Sequence, residues 1–338
     1  LASGVIDKYG NEIWNTQSWM NHINEFGQVY GRHFETEHRG GQFNYDQDEI
    51  WTTPIGTPID AHEIKQLPNG NYMAFTPDVI RLGPIHEGPW TSQFQALGYA
   101  ADGITNEFPW LGLRLVEWDE ETREEVWSWN PFDHFSLNDF DYMSGFWESV
   151  AGPGDPFDWT HFNALAYDEN ENCIYVSSKN LSRISKIDKS TGNVIWNVGV
   201  DWLGDDVINL DMPFSGQHGL ELLDNGNLVF FDNGILSGRF DGTNTYKSRA
   251  MEIAINHQNN EYNSKLVIRS INNVIGKQDI QNIAMRDSIS NSCCIEPVNS
   301  DYSYFNFLSS GENTINGYLK QLEKTTANLN RLEKMIDD

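Results

Sequence analysis

Two distant stretches of this chain share one pattern. HEIKQLPNGNYMAF, from His62, and HGLELLDNGNLVFF, from His218, place a histidine, an Asn-Gly pair and an apolar run at the same offsets. The pairs Asn69-Gly70 and Asn225-Gly226 each predict a β-hairpin, since both residue types tolerate the positive φ of a type I′ turn. Each histidine then opens a strand that turns back into an apolar partner. HFNALAYDENENCIYV, from His161, is a looser third copy. A second unit runs from Asp through a polar turn into a β-rich run ending in Trp, at Asp7 to Trp14 (DKYGNEIW), Asp119 to Trp127 (DEETREEVW) and Asp188 to Trp196 (DKSTGNVIW). The turn residues suit tight reversals, and the Trp is expected to be a bulky inward anchor. SRAMEIAI, Ser248 to Ile255, reads as a fourth copy without the Trp. Between His161 and Trp196 the two units combine into one series of short strands, as in a four-stranded blade.

Strand sets repeating every 40 to 50 residues or so predict an all-β fold of the β-propeller type, in which radial blades protect one another's edges. At that period residues 1–270 hold roughly five to six blades. A β-sandwich would also accommodate short strands, but not the repeat. The step from His62 to His161 is longer than that from His161 to His218, which calls for an insertion or a degenerate extra blade. The aromatic, Gly- and Pro-containing stretch Gly83 to Pro109 is the expected insertion.

Composition divides the chain near residue 270. All 12 Trp lie between Trp14 and Trp202, and beyond 270 the sequence turns to Asn, Ser and Ile. Residues 271–338 form a connector followed by a heptad pattern, with Ile315, Leu322, Leu329 and Ile336 every seven residues and Tyr318, Thr325 and Leu332 three places on. That pattern predicts a C-terminal α-helix, either a short coiled coil that assembles a homo-oligomer through residues 313–338 or a helix docked on its own domain.

A net charge of −27 repels phosphates and anionic membranes, which argues against nucleic-acid binding. No apolar run is long enough to span a bilayer. The chain begins at Leu1, compatible with removal of a signal peptide. Cys173, Cys293 and Cys294 build neither a disulfide framework nor a paired metal knuckle. The acidic stretch Asp201 to Asp211 lacks the spacing of a calcium loop and reads as solvated.

In a propeller, equivalent positions of different blades converge on the axis, so His62, His161 and His218 are expected to share one funnel. Metal binding competes as a reading of three such histidines, but there is no HExxH and no dense Cys/His cluster.

DWTHFNALAYDENENCIYVSSKNLSRISKIDKSTGNVIWNVG (158–199), SGQHGLELLDNGNLVFFDNG (215–234) and SRAMEI (248–253) closely resemble the arylsulfotransferases. The resemblance is dense over 158–255, thinner back to residue 1, and does not reach the tail. It implies a six-bladed propeller that transfers a sulfuryl group from an aryl sulfate donor to a phenolic acceptor, without a nucleotide sulfate donor or any other cofactor, in a periplasmic or extracellular setting. His218 matches the family's nucleophile, which becomes a transient sulfohistidine. His161 and Asn163 match groups that hold sulfate oxygens and assist proton transfer, and His62 matches a further active-site histidine. Lys179 stands where the family has a sulfate-binding arginine, and Arg249 lies near another motif position. Lysine keeps the charge but loses the planar fork that grips two oxygens at once.

The chemistry agrees with this assignment. A neutral imidazole can attack sulfur, cations at Lys179 and Arg249 can face the oxyanion oxygens, and a second histidine can protonate the leaving phenolate. Trp159 could stack on an aryl group, although core packing is the simpler expectation. The rival reading is a non-catalytic structural or binding propeller, assembled through its C-terminal helix into an oligomer or extracellular fibre. Lys179, the altered ring closure and the heptads motivate it, whereas the retained His161, Asn163 and His218 weigh against it.

Overall fold

The computed structural model describes residues 3–254, except 8, 25, 34–36, 153–154, 203–206, 210–212 and 244. The strands form five sheets that succeed one another along the chain. Ser3–Ile6 (β1) and Glu12–Thr16 (β2) make a hairpin. Trp19–Ile23 (β3), Val29–His33 (β4), Arg39–Phe43 (β5) and Glu49–Thr52 (β6) form a four-stranded antiparallel meander. Ile64–Gln66 (β7), Tyr72–Pro84 (β8), Asn106–Trp118 (β9) and Glu125–Trp129 (β10) form the next, with Phe157–Asp158 (β11) added parallel to β9. Phe162–Asp168 (β12), Cys173–Ser178 (β13), Arg183–Asp188 (β14) and Val194–Gly199 (β15) follow, with Ile208–Asn209 (β16) parallel to β15. His218–Leu222 (β17), Leu228–Asp232 (β18) and Arg249–Ile253 (β19) complete the set.

Turn chemistry explains these reversals. Asp119, Asp168 and Asp188 each accept the backbone N–H groups two and three residues on, and Asp7 accepts those of Tyr9 and Asn11. The Asn-Gly hairpins form as expected but not with type I′ turns. Gly70 and Gly226 have φ of +91° and +80°, while Asn69 and Asn225 keep negative φ. Gly70 N–H donates to Leu67 C=O at 2.9 Å and Leu67 N–H to Asn71 C=O at 2.7 Å, a three-residue loop with its glycine in the left-handed region.

Indoles join each of the first three sheets to its successor. Trp14 Nε1 donates to Tyr45 C=O at 2.7 Å, Trp51 to Glu120 C=O at 3.0 Å, Trp127 to Lys189 C=O at 2.9 Å and Trp129 to Gly192 C=O at 2.8 Å. In two of its three copies, Trp14 and Trp127, the repeated Trp is therefore a tie to the next sheet, whereas Trp196 Nε1 is buried without a hydrogen-bond partner. Only Trp196 is the buried anchor expected of all three, since Trp14 and Trp127 are half-buried.

Apolar cores fill the gaps between neighbouring sheets. Tyr30, Trp51, Tyr72 and Trp118 pack between the second and third, Met73, Phe75, Leu165 and Ile174 between the third and fourth, and Tyr175, Trp196, Phe230 and Met251 between the fourth and fifth. The architecture is an all-β propeller arrangement.

Among the described residues, four blades of three or more strands stand where six were expected. Between His62 and His161 the described residues form one blade and no extra one. Its β8 and β9 run 13 residues each and extend into an insertion, closed by the helix Thr91–Ala96 (α1), at the expected Gly83 to Pro109. Trp90, Phe94, Phe108 and Trp110 dock it on Trp147 and Phe157, which stack at 3.9 Å. Residues that could have made another blade are used in this extension. The boundary near 270, the heptads, Cys293 and Cys294 lie outside the described residues.

Candidate active site

The three histidines meet although they come from three blades. The rings of His62 and His161 lie 4.9 Å apart between centroids, nearly perpendicular, and those of His62 and His218 lie 5.9 Å apart. His62 precedes β7, His161 precedes β12 and His218 begins β17, so each sits at the entry to the first strand of its blade. Two of these entries are irregular. The β12–β13 register shifts between Phe162 and Ala164, and the β17–β18 register between His218 and Glu221. Such bulges re-aim side chains next to functional sites. His161 itself has φ +45°, a left-handed conformation costly for a residue with a Cβ, which surrounding contacts must hold.

Each ring is held through Nδ1. That of His62 lies 2.5 Å from Asp60 Oδ1, that of His161 contacts Asp158 Oδ2, and that of His218 is 2.9 Å from the Gly216 carbonyl. Asn233 Nδ2 also lies 2.9 Å from His218 Nδ1, while Asn233 Oδ1 is buried without a partner. Exchanging that amide's N and O gives the Nδ1–H a second acceptor and removes the conflict. His218 then carries its proton on Nδ1 and presents Nε2 with a free lone pair. Burial, the neighbouring His62, the Lys179 ammonium and His161 hold the His218 imidazolium form well below its ordinary range, so the ring stays neutral. Burial pushes the Asp60 carboxyl up, but the hydrogen bond and charge of His62 outweigh it and keep it below its usual value.

The remaining expected site residues divide. Lys179 is half-buried, with Nζ 5.8 Å from the Phe146 ring centroid, and its charge is felt at His218. Burial lowers its pKa while Asp158 opposes the shift. Asn163 is buried, and its Nδ2 donates to the Gln217 carbonyl at 2.7 Å. Its amide nitrogen thus fixes the residue before His218, and its Oδ1 is buried without a partner. Arg249 is not brought to the histidines by any contact: Nε donates to buried Asp232 at 2.8 Å and Nη2 to the Pro213 carbonyl at 2.5 Å. Asp232 in turn accepts Ser215 and Gly234 N–H at 2.8 Å each, so this arginine braces the loop leading to His218. Trp159 is a core residue whose indole donates to Asp139 C=O at 2.7 Å.

Sequence reasoning missed Asp60, Asp158, Gln217 and Asn233. Asp158, Gln217 and Asn233 stood inside the quoted motifs. Gln217 Nε2 reaches Ser177 Oγ at 3.0 Å, Ser178 C=O at 3.0 Å and Arg183 C=O at 2.9 Å, clamping the His218 segment to the preceding blade. Among the described residues, no group of three or more His, Cys, Asp or Glu is arranged to hold a metal ion, and no helix is long and apolar enough to cross a membrane.

A neutral imidazole beside two carboxylate-held imidazoles and an ammonium can transfer an anionic group. Residues 111–267 match the arylsulfotransferase (ASST) family. The matched arylsulfotransferase segment includes His161, Asn163, Lys179, His218 and Arg249, and leaves out His62. No curated protein matches the chain. Among solved structures, a Bacteroides caccae protein of unknown function is similar at 12% identity and a TM-score of 0.40, covering 82% of this chain and 73% of that one. A Xanthomonas campestris gluconolactonase is similar at 10% identity and 0.37, covering 72% and 60%, so this chain spans less than two thirds of its length. A virginiamycin B lyase from Staphylococcus aureus is similar at 12% and 0.32, covering 71% and 68%.

Proposed function

We propose that this protein is an arylsulfotransferase-like enzyme that moves a sulfuryl group from an aryl sulfate to a phenolic acceptor through a sulfohistidine at His218. The observation that carries the reading is the meeting of His62, His161 and His218, with Nδ1 of His218 bound to a carbonyl and Nε2 left for attack. In the first half-reaction Nε2 forms a bond to sulfur as the sulfur–aryloxy bond breaks. The departing phenolate oxygen takes a proton from Nε2 of a carboxylate-held imidazole, His161 or His62. In the second, that imidazole removes the proton of the acceptor phenol, whose oxygen attacks sulfur and frees His218. Lys179 faces the sulfate charge, and the orphaned buried Nε2 of His161 lies in the same cluster. Export to the periplasm or cell exterior belongs to the same proposal.

Incubation with 4-nitrophenyl sulfate followed by mass spectrometry should find one sulfo group on the peptide holding His218. Substitution of His218 by alanine should abolish both adduct and phenol release. A folded protein that forms no adduct and releases no phenol from any of several aryl sulfates overturns the reading.

A further inference from the structure

We propose that Asp158 is a positioning residue that acts through His161, fixing both its strained backbone and the nitrogen it presents. The proposal rests on the sulfuryl-transfer reading and assigns a part of that site that the histidines alone do not explain. Asp158 uses its two oxygens on one neighbour. Oδ1 accepts the His161 backbone N–H at 3.2 Å, and Oδ2 contacts ring Nδ1. The first contact braces a residue at φ +45°. The second keeps a proton on Nδ1, so that Nε2, buried and without a hydrogen-bond partner, is the atom available for chemistry.

Asp158 is itself anchored. It ends β11, paired with Leu111, its carbonyl accepts Asn180 Nδ2 at 2.5 Å, and the next residue donates Trp159 N–H to Leu111 C=O at 3.1 Å. The flanking Thr160 carbonyl accepts the Ser178 hydroxyl at 2.7 Å, and the His161 carbonyl accepts Lys179 N–H at 3.2 Å. One edge of β9 and the β13–β14 turn thus grip the segment from both sides. The charged and titratable groups around His161 are Asp158, His62 with Asp60, His218 and Lys179. Asp158 is the one among them that binds His161 at both backbone and ring.

In the transfer step, the proton that leaves His161 Nε2 for the phenolate oxygen comes from an imidazolium whose other N–H is held by Asp158. Removing the carboxylate charge takes away the partner that stabilises the imidazolium and frees the ring to place its proton on the wrong nitrogen. The test compares the parent with Asp158→Asn on phenyl sulfate and 4-nitrophenyl sulfate. For phenyl sulfate, kcat is expected to fall on the order of 10² to 10⁴-fold with KM little changed. The loss should be much smaller for 4-nitrophenyl sulfate, whose leaving group needs little protonation. A merely structural role would depress both donors equally. Nitrogen-15 NMR of the ligand-free parent supplies a readout independent of activity and of the variant's folding: His161 should carry a proton on Nδ1, whether or not Nε2 is protonated as well.

A parent that turns over both donors beside an Asp158→Asn variant unchanged within two-fold on each, or slowed equally on both, overturns the proposal and leaves the sulfuryl-transfer reading standing. A parent His161 protonated on Nε2 alone also overturns it. A parent inert to both donors whose His161 carries the Nδ1 proton removes the enzymatic reading while leaving the Asp158 contact in place.

Discussion

Glu63, next to His62 in sequence, offers a sharp test of how the blades are held around the axis. Its side chain is 13% exposed and lies 3.8 Å from Lys65 Nζ, which also lies 3.5 Å from Glu221 and donates to the Leu165 carbonyl at 2.8 Å. Lys65 thus joins the first strands of three successive blades, β7, β12 and β17. Burial pushes the Glu63 carboxyl from its ordinary 4.5 up to about 7; Lys65 opposes the shift and Glu221 adds to it. One ammonium does not fully support two carboxylates in a poorly hydrated place. Because the folded-state value lies above the unfolded one, the folded state binds the proton more tightly. The resulting stabilisation is complete below pH 4.5 and lost as pH rises through about 7. At about 1.4 kcal/mol per pKa unit the rise corresponds to about 3 kcal/mol. Glu63→Gln resembles the protonated form at every pH. Between pH 4.5 and pH 8 the stability difference between variant and parent should therefore change by about 3 kcal/mol, in the variant's favour at the alkaline end. Urea unfolding followed by tryptophan fluorescence at several pH values measures it. Parallel pH–stability curves for the two proteins would refute the reasoning.

Further predictions follow from the site and its supports. The His218 Hε1 resonance should keep its neutral-imidazole position as pH falls through 6.5, because burial and three neighbouring groups disfavour the charged ring; a midpoint near 6.5 would contradict this. Lys179→Arg should raise kcat/KM for aryl sulfates several-fold by restoring the fork that grips two oxygens, and an unchanged value would show that the ammonium does not meet the sulfate. Arg249→Met leaves buried Asp232 without its counter-charge and should cost about 3 kcal/mol in denaturant unfolding. Trp147→Ala, which empties the stack on Phe157, should cost about 3 to 5 kcal/mol, measured in the same way.

The hairpins at His62 and His218 were legible because turn chemistry is local. An Asn-Gly pair between apolar runs reverses the chain wherever it stands, although the geometry adopted was a three-residue loop with only the glycine at positive φ. The Asp-turn-Trp unit was legible for the same reason, but of the inward anchors expected only Trp196 is buried, while Trp14 and Trp127 tie to the next sheet. A tie from Trp127 to Lys189, 62 residues away, depends on how blades stand side by side, which no local pattern encodes. Arg249 shows the same limit. Its motif position suggested a sulfate ligand, whereas Asp232 and the Pro213 carbonyl occupy its donors.

The amino-acid pattern alone determined a repeating all-β chain, the insertion after Gly83 and three histidines at matching points of the repeat, because strand alternation and turn preferences act over a few residues. Tertiary structure decided the number of blades among the described residues, the meeting of the three rings, and the carboxylate or carbonyl behind each of them. Those depend on long-range packing and burial: a ring's tautomer and charge follow from the groups that surround it in space, and the groups that matter here arrive from different blades.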